Sequence, residues 1–169
     1  MSHEFWLEGP VDGVPPLLMP VAHALLQAGD DLREALSTLT AEQVWHRPNG
    51  GASTGFHLRH LAGSLDRLVT YSQGRPLSEE QRAALAAEKT EPSPPIPVAT
   101  LLDLVDARIQ QALVVLRATP ESALLEQRLV GRAQRPSTVL GLLVHAADHS
   151  MRHTGQAITT AKIVRATDL

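Results

Sequence analysis

Three histidines, His145, His149 and His153, are spaced four residues apart near the end of the sequence. The stretch around them, residues 136–165, has no proline after Pro136 and repeats apolar residues at three- and four-residue steps, which predicts one long helix. Residues four apart on a helix are neighbours, so His149 and His153 can bind one metal ion together. His145 and His153 lie about 12 Å apart along the axis, too far to share an ion. A metal site therefore needs a third ligand from another helix.

The second predicted helix, which begins near residue 52 or 56 and ends at Gln73, offers His57 and His60 as that ligand. His57 lies nearer than His60 to the helix's apolar face, which is formed by Leu58, Leu61, Leu65, Leu68 and Val69. Helical periodicity slightly favours His57, and both candidates stay open. Histidines at this spacing also arise at helix edges without any metal, so the pattern alone is not specific.

The helices that must position these histidines follow from the composition. Of the 169 residues, 43% are hydrophobic but only 3% are aromatic, so the apolar content is mainly leucine, alanine and valine. Leucine and alanine are strong helix formers, and the length suits a single domain over residues 1–169. Long connections, one of them proline-rich at 90–97, separate the four long predicted helices. We therefore expect an all-α four-helix bundle with crossover connections, its helices at about 17–39, 52–73, 98–118 and 136–165.

Charge and cysteine content exclude several classes of function. The formal net charge is −3 and no long basic run occurs, which disfavours nucleic-acid binding. The absence of cysteine excludes disulfides, cysteine zinc sites and a thiol nucleophile from the protein itself. No apolar run reaches the roughly 20 residues that span a bilayer, and the first residues do not form a signal peptide. We predict a cytoplasmic protein without membrane contact.

Three motifs resemble the DinB-like superfamily of small helical metalloproteins. The string HSMRHTGQ at 149–156 resembles its H-x-x-x-H-x-G-Q ending, and FHLRHLAG at 56–63 resembles the signature of its second helix. LTAEQVWHRP at 39–48 is similar to the connector that follows its first helix. The resemblance covers nearly the whole chain, with the motifs in the family's order.

This resemblance implies a four-helix bundle that holds a divalent metal, with Zn or Ni as first candidates, through His60, His149 and His153. His57 and His145 would then surround the ligands or line the pocket. Three neutral imidazoles leave a coordination position for water or substrate, and each needs its second ring nitrogen oriented, for which Asp148 or Gln156 are candidates. No histidine pair reads H-E-x-x-H, which argues against a peptidase.

The family resemblance also implies an activity. The superfamily includes transferases that use a low-molecular-weight thiol such as bacillithiol or mycothiol, and Arg59, Arg67 and Arg152 could hold the carboxylates of such a thiol. A metal-dependent hydrolase and a non-catalytic stress or ligand-binding protein are the alternatives. The resemblance further implies a homodimer.

Overall fold

Four long helices dominate the computed structural model, which describes residues 4–167. Two short helices and a two-stranded hairpin fill the connections between them. In chain order the elements are α1 Met19–Leu36, α2 Ala41–Trp45, α3 Thr54–Ser72, α4 Glu79–Ala87, α5 Val98–Ala118, β1 Gln127–Val130, β2 Arg135–Thr138 and α6 Val139–Arg165. The predicted all-α class is confirmed.

The four long helices form a bundle in which α1 and α3 each pack against both α5 and α6. Two pairs of consecutive long helices, α1 with α3 and α5 with α6, therefore lie at diagonally opposite corners of the bundle. Such connections must cross the end of the bundle, which accounts for their length. The predicted four-helix bundle with crossover connections is confirmed.

Leucines at helical spacing supply the bundle's core. α1 and the turn before it contribute Leu18, Leu25 and Leu32, seven residues apart and fully buried. α3 contributes leucines three and four residues apart, so one side of that helix faces the centre of the bundle. The fully buried leucines are Leu18, Leu25, Leu32, Leu36, Leu58, Leu61, Leu65, Leu101, Leu116 and Leu143. Packing of this kind fixes how α3 and α6 face each other.

The start of α6 differs from the sequence prediction. Pro136 and Ser137 belong to β2, where they pair with Leu129 and Arg128 of β1, and the helix begins at Val139. Thr138 caps it, because its hydroxyl accepts a hydrogen bond from the backbone N–H of residue 141 at 3.0 Å. A short hairpin thus replaces the first turn that Pro136 suggested.

α4 lies against α3 through polar contacts, since none of its own residues is buried. Gln81 donates to Asp66 and Thr70 of α3 at 2.9 and 2.8 Å. At the other end of α4, Arg59 of α3 donates to the carbonyl oxygens of Ala87 and residue 90 at 2.9 and 2.7 Å. These contacts fix the residue that follows α4, Glu88, against the middle of α3.

None of the helices within residues 4–167 is long and apolar enough to cross a bilayer.

Candidate metal centre

Three histidines from two packed helices meet between α3 and α6. His60 of α3 and His149 and His153 of α6 each offer one ring nitrogen, and these three nitrogens all lie within 4.8 Å of one another. The Nε2 atoms of His60 and His149 are 3.0 Å apart. The ring centroid of His153 lies 4.5 Å from that of His60 and 4.6 Å from that of His149. The group therefore combines the i, i+4 pair of α6 with one histidine across the helix interface.

His57 lies beside this group and outside it. Its side chain is buried, as its position near the apolar face of α3 suggested, and its Nδ1 lies 3.1 Å from Nδ1 of His153. One of these two nitrogens must carry a proton for the contact to be a hydrogen bond. With Nδ1 of His153 engaged in this way, its Nε2 remains for a metal. The geometry thus brings His60 into the group and gives His57 a supporting contact.

A buried carboxylate holds His60 from the other side. Oε2 of Glu88 lies 2.7 Å from Nδ1 of His60, and its Oε1 accepts a hydrogen bond from Arg67 at 2.5 Å. Glu88 and Arg67 are only 7% and 8% exposed. A histidine that donates Nδ1–H to a carboxylate directs the lone pair of Nε2 outward, which is the arrangement found around metal-bound histidines. Sequence reasoning missed Glu88, because it lies 28 positions after His60 and outside any motif.

Electrostatics keep this carboxylate ionised. Burial by itself raises the pKa of Glu88, but the hydrogen bonds with His60 and Arg67 outweigh burial and hold the pKa below its usual value. Glu88 thus contacts a guanidinium and an imidazole in a site that is mostly buried. Removing Arg67 or Glu88 would leave the other charge uncompensated there.

His149 and His153 of α6 are held in their neutral form. Burial, followed by the proximity of His60, His149 and His57, lowers the pKa of His153 to about 4. Burial and His60 also lower the pKa values of His149 and His57. Neutral imidazoles keep the lone pairs that a metal needs. Nδ1 of His149 is also buried without a hydrogen-bond partner among the described residues. The donor set therefore fits a divalent transition metal such as Zn or Ni.

The other residues that the sequence suggested lie outside the group of three histidines. Arg67 is committed to Glu88, and Arg59 to the backbone after α4. Asp148 pairs with Arg152 at 2.9 Å on the exposed face of α6, instead of orienting a ligand. His145 is exposed as well, 3.9 Å from Asp148, but its ring lies next to that of His149, with centroids 5.5 Å apart, as the resemblance implied. Of the three arginines proposed for carboxylate binding, Arg152 lines a groove beside His57, whereas Arg59 and Arg67 line a smaller pocket of about 120 Å³ next to Glu88.

Two grooves flank the histidines. One, of about 660 Å³, is lined by Pro48, Gly51, Ala52, His57, Arg152, Gly155, Gln156, Thr159, Thr160 and Ile163. The other, of about 350 Å³, includes Arg47, Phe56, Glu88 and Lys89 among its lining residues and shares Gly51 and Ala52 with the first. The ring of Phe56 stacks on His60, with centroids 5.6 Å apart and planes 10° apart. Both grooves follow the loop between α2 and α3, and they end at His57, Phe56 and Glu88, which contact the candidate ligands.

Gly63 lies against Glu88 and Arg67, so adding one methyl group there should destabilise the protein. A Cβ at Gly63 would collide with Oε1 of Glu88 and lie 2.7 Å from the guanidinium of Arg67. We expect Gly63→Ala to displace Glu88 from His60 and to cost about 1–3 kcal/mol of unfolding free energy, as for other overpacked sites. Gly155→Ala is the matched control, because nothing lies within 4 Å of its Cβ and alanine favours a helix. Urea unfolding measures both, and equal stability of the two variants would contradict the prediction.

The lowered pKa values predict acid sensitivity of the metal-free protein. Between pH 6.5 and about 4 the unfolded chain protonates His153 while the folded chain does not, so unfolding takes up a proton and stability falls as the pH falls. Above pH 6.5 neither state carries that proton, and the effect vanishes. At about 1.4 kcal/mol per pKa unit, His153 contributes about 3 kcal/mol at most.

Urea unfolding in chelator from pH 7.5 to 4.5 measures this effect. His153→Gln should flatten the profile over that range, whereas His46→Gln, outside the cluster, should leave it unchanged. If the unfolding free energy of His153→Gln fell with pH as steeply as that of the wild type, the lowered pKa of His153 would not be the cause of the acid sensitivity.

A four-helix bundle with three histidines converging between two of its helices defines a candidate metal-binding bundle protein. The sequence model of the DinB superfamily matches residues 24–157, so the chain belongs to the DinB superfamily. The family prediction is thereby confirmed.

Two solved structures share this fold. A crystal structure of a conserved protein from Enterococcus faecalis superposes with a TM-score of 0.67 at 22% identity, covering 88% of this chain and 97% of the other. YfiT from Bacillus subtilis, described as a probable metal-dependent hydrolase with an unusual four-helix bundle topology, gives 0.57 at 17% identity, covering 88% and 90%. No curated protein sequence matches the chain at a significant level. At these identities the two structures establish the fold alone.

Proposed function

We propose that the protein binds one divalent metal ion, Zn or Ni, through His60, His149 and His153. The convergence of these three ring nitrogens within 4.8 Å carries the proposal. Glu88 holds His60 in the orientation that binding requires, and His57 does the same for His153. A cation held by three neutral imidazoles remains a strong Lewis acid, able to lower the pKa of a coordinated thiol or water.

We further propose that the reaction is the transfer of a low-molecular-weight thiol, such as bacillithiol or mycothiol, to an electrophile. The sulfur of the thiol forms a bond to carbon, the carbon–leaving-group bond breaks, and the thiol proton is released to solvent. The chain has no cysteine, so the sulfur must come from such a cofactor. Glu88, the carboxylate in contact with the cluster, is held by His60 and Arg67 and is not available to take a proton from water. A thiol needs no such base.

The groove beside His57 suits the thiol substrate. Arg152 lines it, and this side chain is exposed and paired only on the surface with Asp148. A guanidinium at that position can bind a carboxylate of the thiol in a bidentate manner. Gly155 leaves open space on the same wall, since a Cβ there would meet nothing within 4 Å. The chain thus offers room and a positive charge next to the proposed metal.

Hydrolysis is the second candidate, supported by the description of YfiT as a probable metal-dependent hydrolase. The same open coordination position would serve water. The two reactions differ in their requirement for a thiol, and this difference can be measured directly.

The test uses untagged protein loaded with Zn or Ni, because a polyhistidine tag would bring its own metal. We expect conjugation of monobromobimane by bacillithiol or mycothiol above the uncatalysed rate, with loss of that rate in the triple variant His60→Ala, His149→Ala, His153→Ala. Hydrolysis of p-nitrophenyl acetate without thiol would instead favour the second candidate. Bound metal with neither activity would leave a non-catalytic binding protein, and failure of the wild type to bind metal would reject both enzymes.

The homodimer implied by the family resemblance and the cytoplasmic location inferred from the composition stay predictions. Light scattering after gel filtration measures the mass against the 18.2 kDa of one chain. A mass near twice this value supports the dimer, and a monomer at micromolar concentration contradicts it. Fractionation of cells that express the native chain tests the location.

A further inference from the structure

A second groove lies at the opposite end of α3 from the histidines. It has a volume of about 1030 Å³ and is formed by the end of α3, the loop that follows it, the middle and end of α4, and the β1–β2 hairpin. Tyr71, in its wall, follows His60 by 11 residues, or about 16 Å along the helix axis. The groove is therefore separate from the proposed metal centre.

The groove concentrates positive charge in a chain whose formal net charge is −3. No aspartate or glutamate is among the residues that line it. Four of its lining residues are arginines, namely Arg75, Arg82, Arg128 and Arg132. Arginines without facing carboxylates attract anions, and the low-dielectric walls of a groove strengthen that attraction.

Three of these arginines are oriented by hydrogen bonds to neutral acceptors, which for Arg75 and Arg82 hold the side chain without cancelling its charge. Nε of Arg128 donates to the carbonyl oxygen of Ser72 at 2.8 Å, and Arg82 donates to that of Leu77 at 2.5 Å. Arg75 donates to the side chain of Gln73. Arg128 also pairs with Glu126 at the exposed rim. A guanidinium has five N–H donors, so each arginine keeps donors for a ligand.

Apolar side chains line the same groove. Leu85 of α4 and Leu129 of β1 are 44% and 54% exposed. Tyr71 and Leu77 add further apolar surface. The volume is that of a site for a small organic molecule. Positive charge beside exposed leucines suits a ligand with an anionic head and an apolar body.

We propose that this groove binds a small organic anion, a carboxylate or phosphate ester that carries an apolar chain. The arginines hold the anionic head by charge-assisted hydrogen bonds, and the leucines cover the chain. One wall of the groove is α4, whose next residue is Glu88, but binding at the groove requires neither the metal nor the proposed transfer reaction. The proposal therefore stands or falls separately from the function proposed above.

Isothermal titration of the full-length protein with decanoate and with decyl phosphate, below their micellar concentrations, tests the proposal. We expect saturable binding at one site per chain for at least one of them, and the stronger of the two identifies the head group. Decanol, which has the same chain without charge, should bind at least 10-fold more weakly.

The double variant Arg82→Gln, Arg132→Gln should weaken binding at least 10-fold, since both side chains are exposed groove residues whose loss leaves the core intact. Arg135→Gln is the matched control, an exposed arginine of the same hairpin outside the groove, and should bind as the wild type does. An unchanged far-UV circular dichroism spectrum and an unchanged urea-unfolding midpoint in all variants show that the fold is retained. Absence of saturation, equal binding of decanol, or wild-type affinity of the double variant would each overturn the proposal.

Discussion

Alanine at His153 is expected to remove the metal from the purified protein. His153 is the histidine in contact with all the others of the cluster, and its loss leaves two protein ligands and a cavity between α3 and α6. We expect Zn affinity to fall at least 100-fold, or by about 3 kcal/mol at 1.4 kcal/mol per factor of ten. Elemental analysis of untagged protein and competition with a chromophoric chelator measure the stoichiometry and the affinity.

Matched variants separate ligand loss from structural damage. His60→Ala should have an effect as large as His153→Ala, whereas His57→Ala should lower the affinity only about 10- to 100-fold, the usual range for a residue that orients a ligand. His23→Ala should retain full metal content, because this ring contacts the backbone of Gly9 at 2.9 Å and none of the four clustered histidines. Stoichiometric metal in His153→Ala, or a larger loss in His57→Ala than in His60→Ala, would refute the ligand set.

The second large effect is expected at Glu88. Glu88→Ala leaves the guanidinium of Arg67 buried without a counter-charge, which typically costs about 3–5 kcal/mol of unfolding free energy. It also releases Nδ1 of His60, so Zn affinity should fall about 10- to 100-fold. Urea unfolding and Zn competition measure the two effects on the same preparations. Glu80→Ala, on the exposed face of α4, should change stability by less than about 0.5 kcal/mol.

A double variant tests whether these two roles of Glu88 are distinct. Combining Glu88→Leu with Arg67→Met removes both buried charges and should restore much of the stability, because well-packed apolar residues often replace a buried ion pair without loss. The Zn affinity should stay low, since nothing then orients His60. Recovery of both properties would show that Glu88 acts on the metal site only through the general stability of the fold.

The sequence by itself determined the long helices and two of the three histidines of the candidate site. Apolar residues at three- and four-residue steps located the long helices, because that period is a property of each segment alone. The starts of α2 and α4 are also visible in the sequence, because each has a capping box, formed by Thr40 with Gln43 and by Ser78 with Gln81. His149 and His153 share one helix, so their spacing already fixed their proximity.

The choice between His57 and His60 required the tertiary structure. Both lie on α3, and the rotation of that helix against α6 decides which ring meets the pair. Periodicity favoured His57 because it lies near the apolar face of α3. His57 is indeed buried, but its ring contacts His153 and does not belong to the group of three histidines. Only the resemblance to the DinB superfamily pointed to His60 from the sequence.

Glu88 was beyond any argument from local pattern. It follows α4, a helix without buried residues, and reaches His60 because polar contacts from Arg59 and Gln81 fix α4 on α3. A histidine pair on one helix is set by the 3.6-residue repeat, which the sequence displays. A contact between an imidazole and a carboxylate from separate elements is set by the packing of those elements, and that packing is decided only when the whole chain folds.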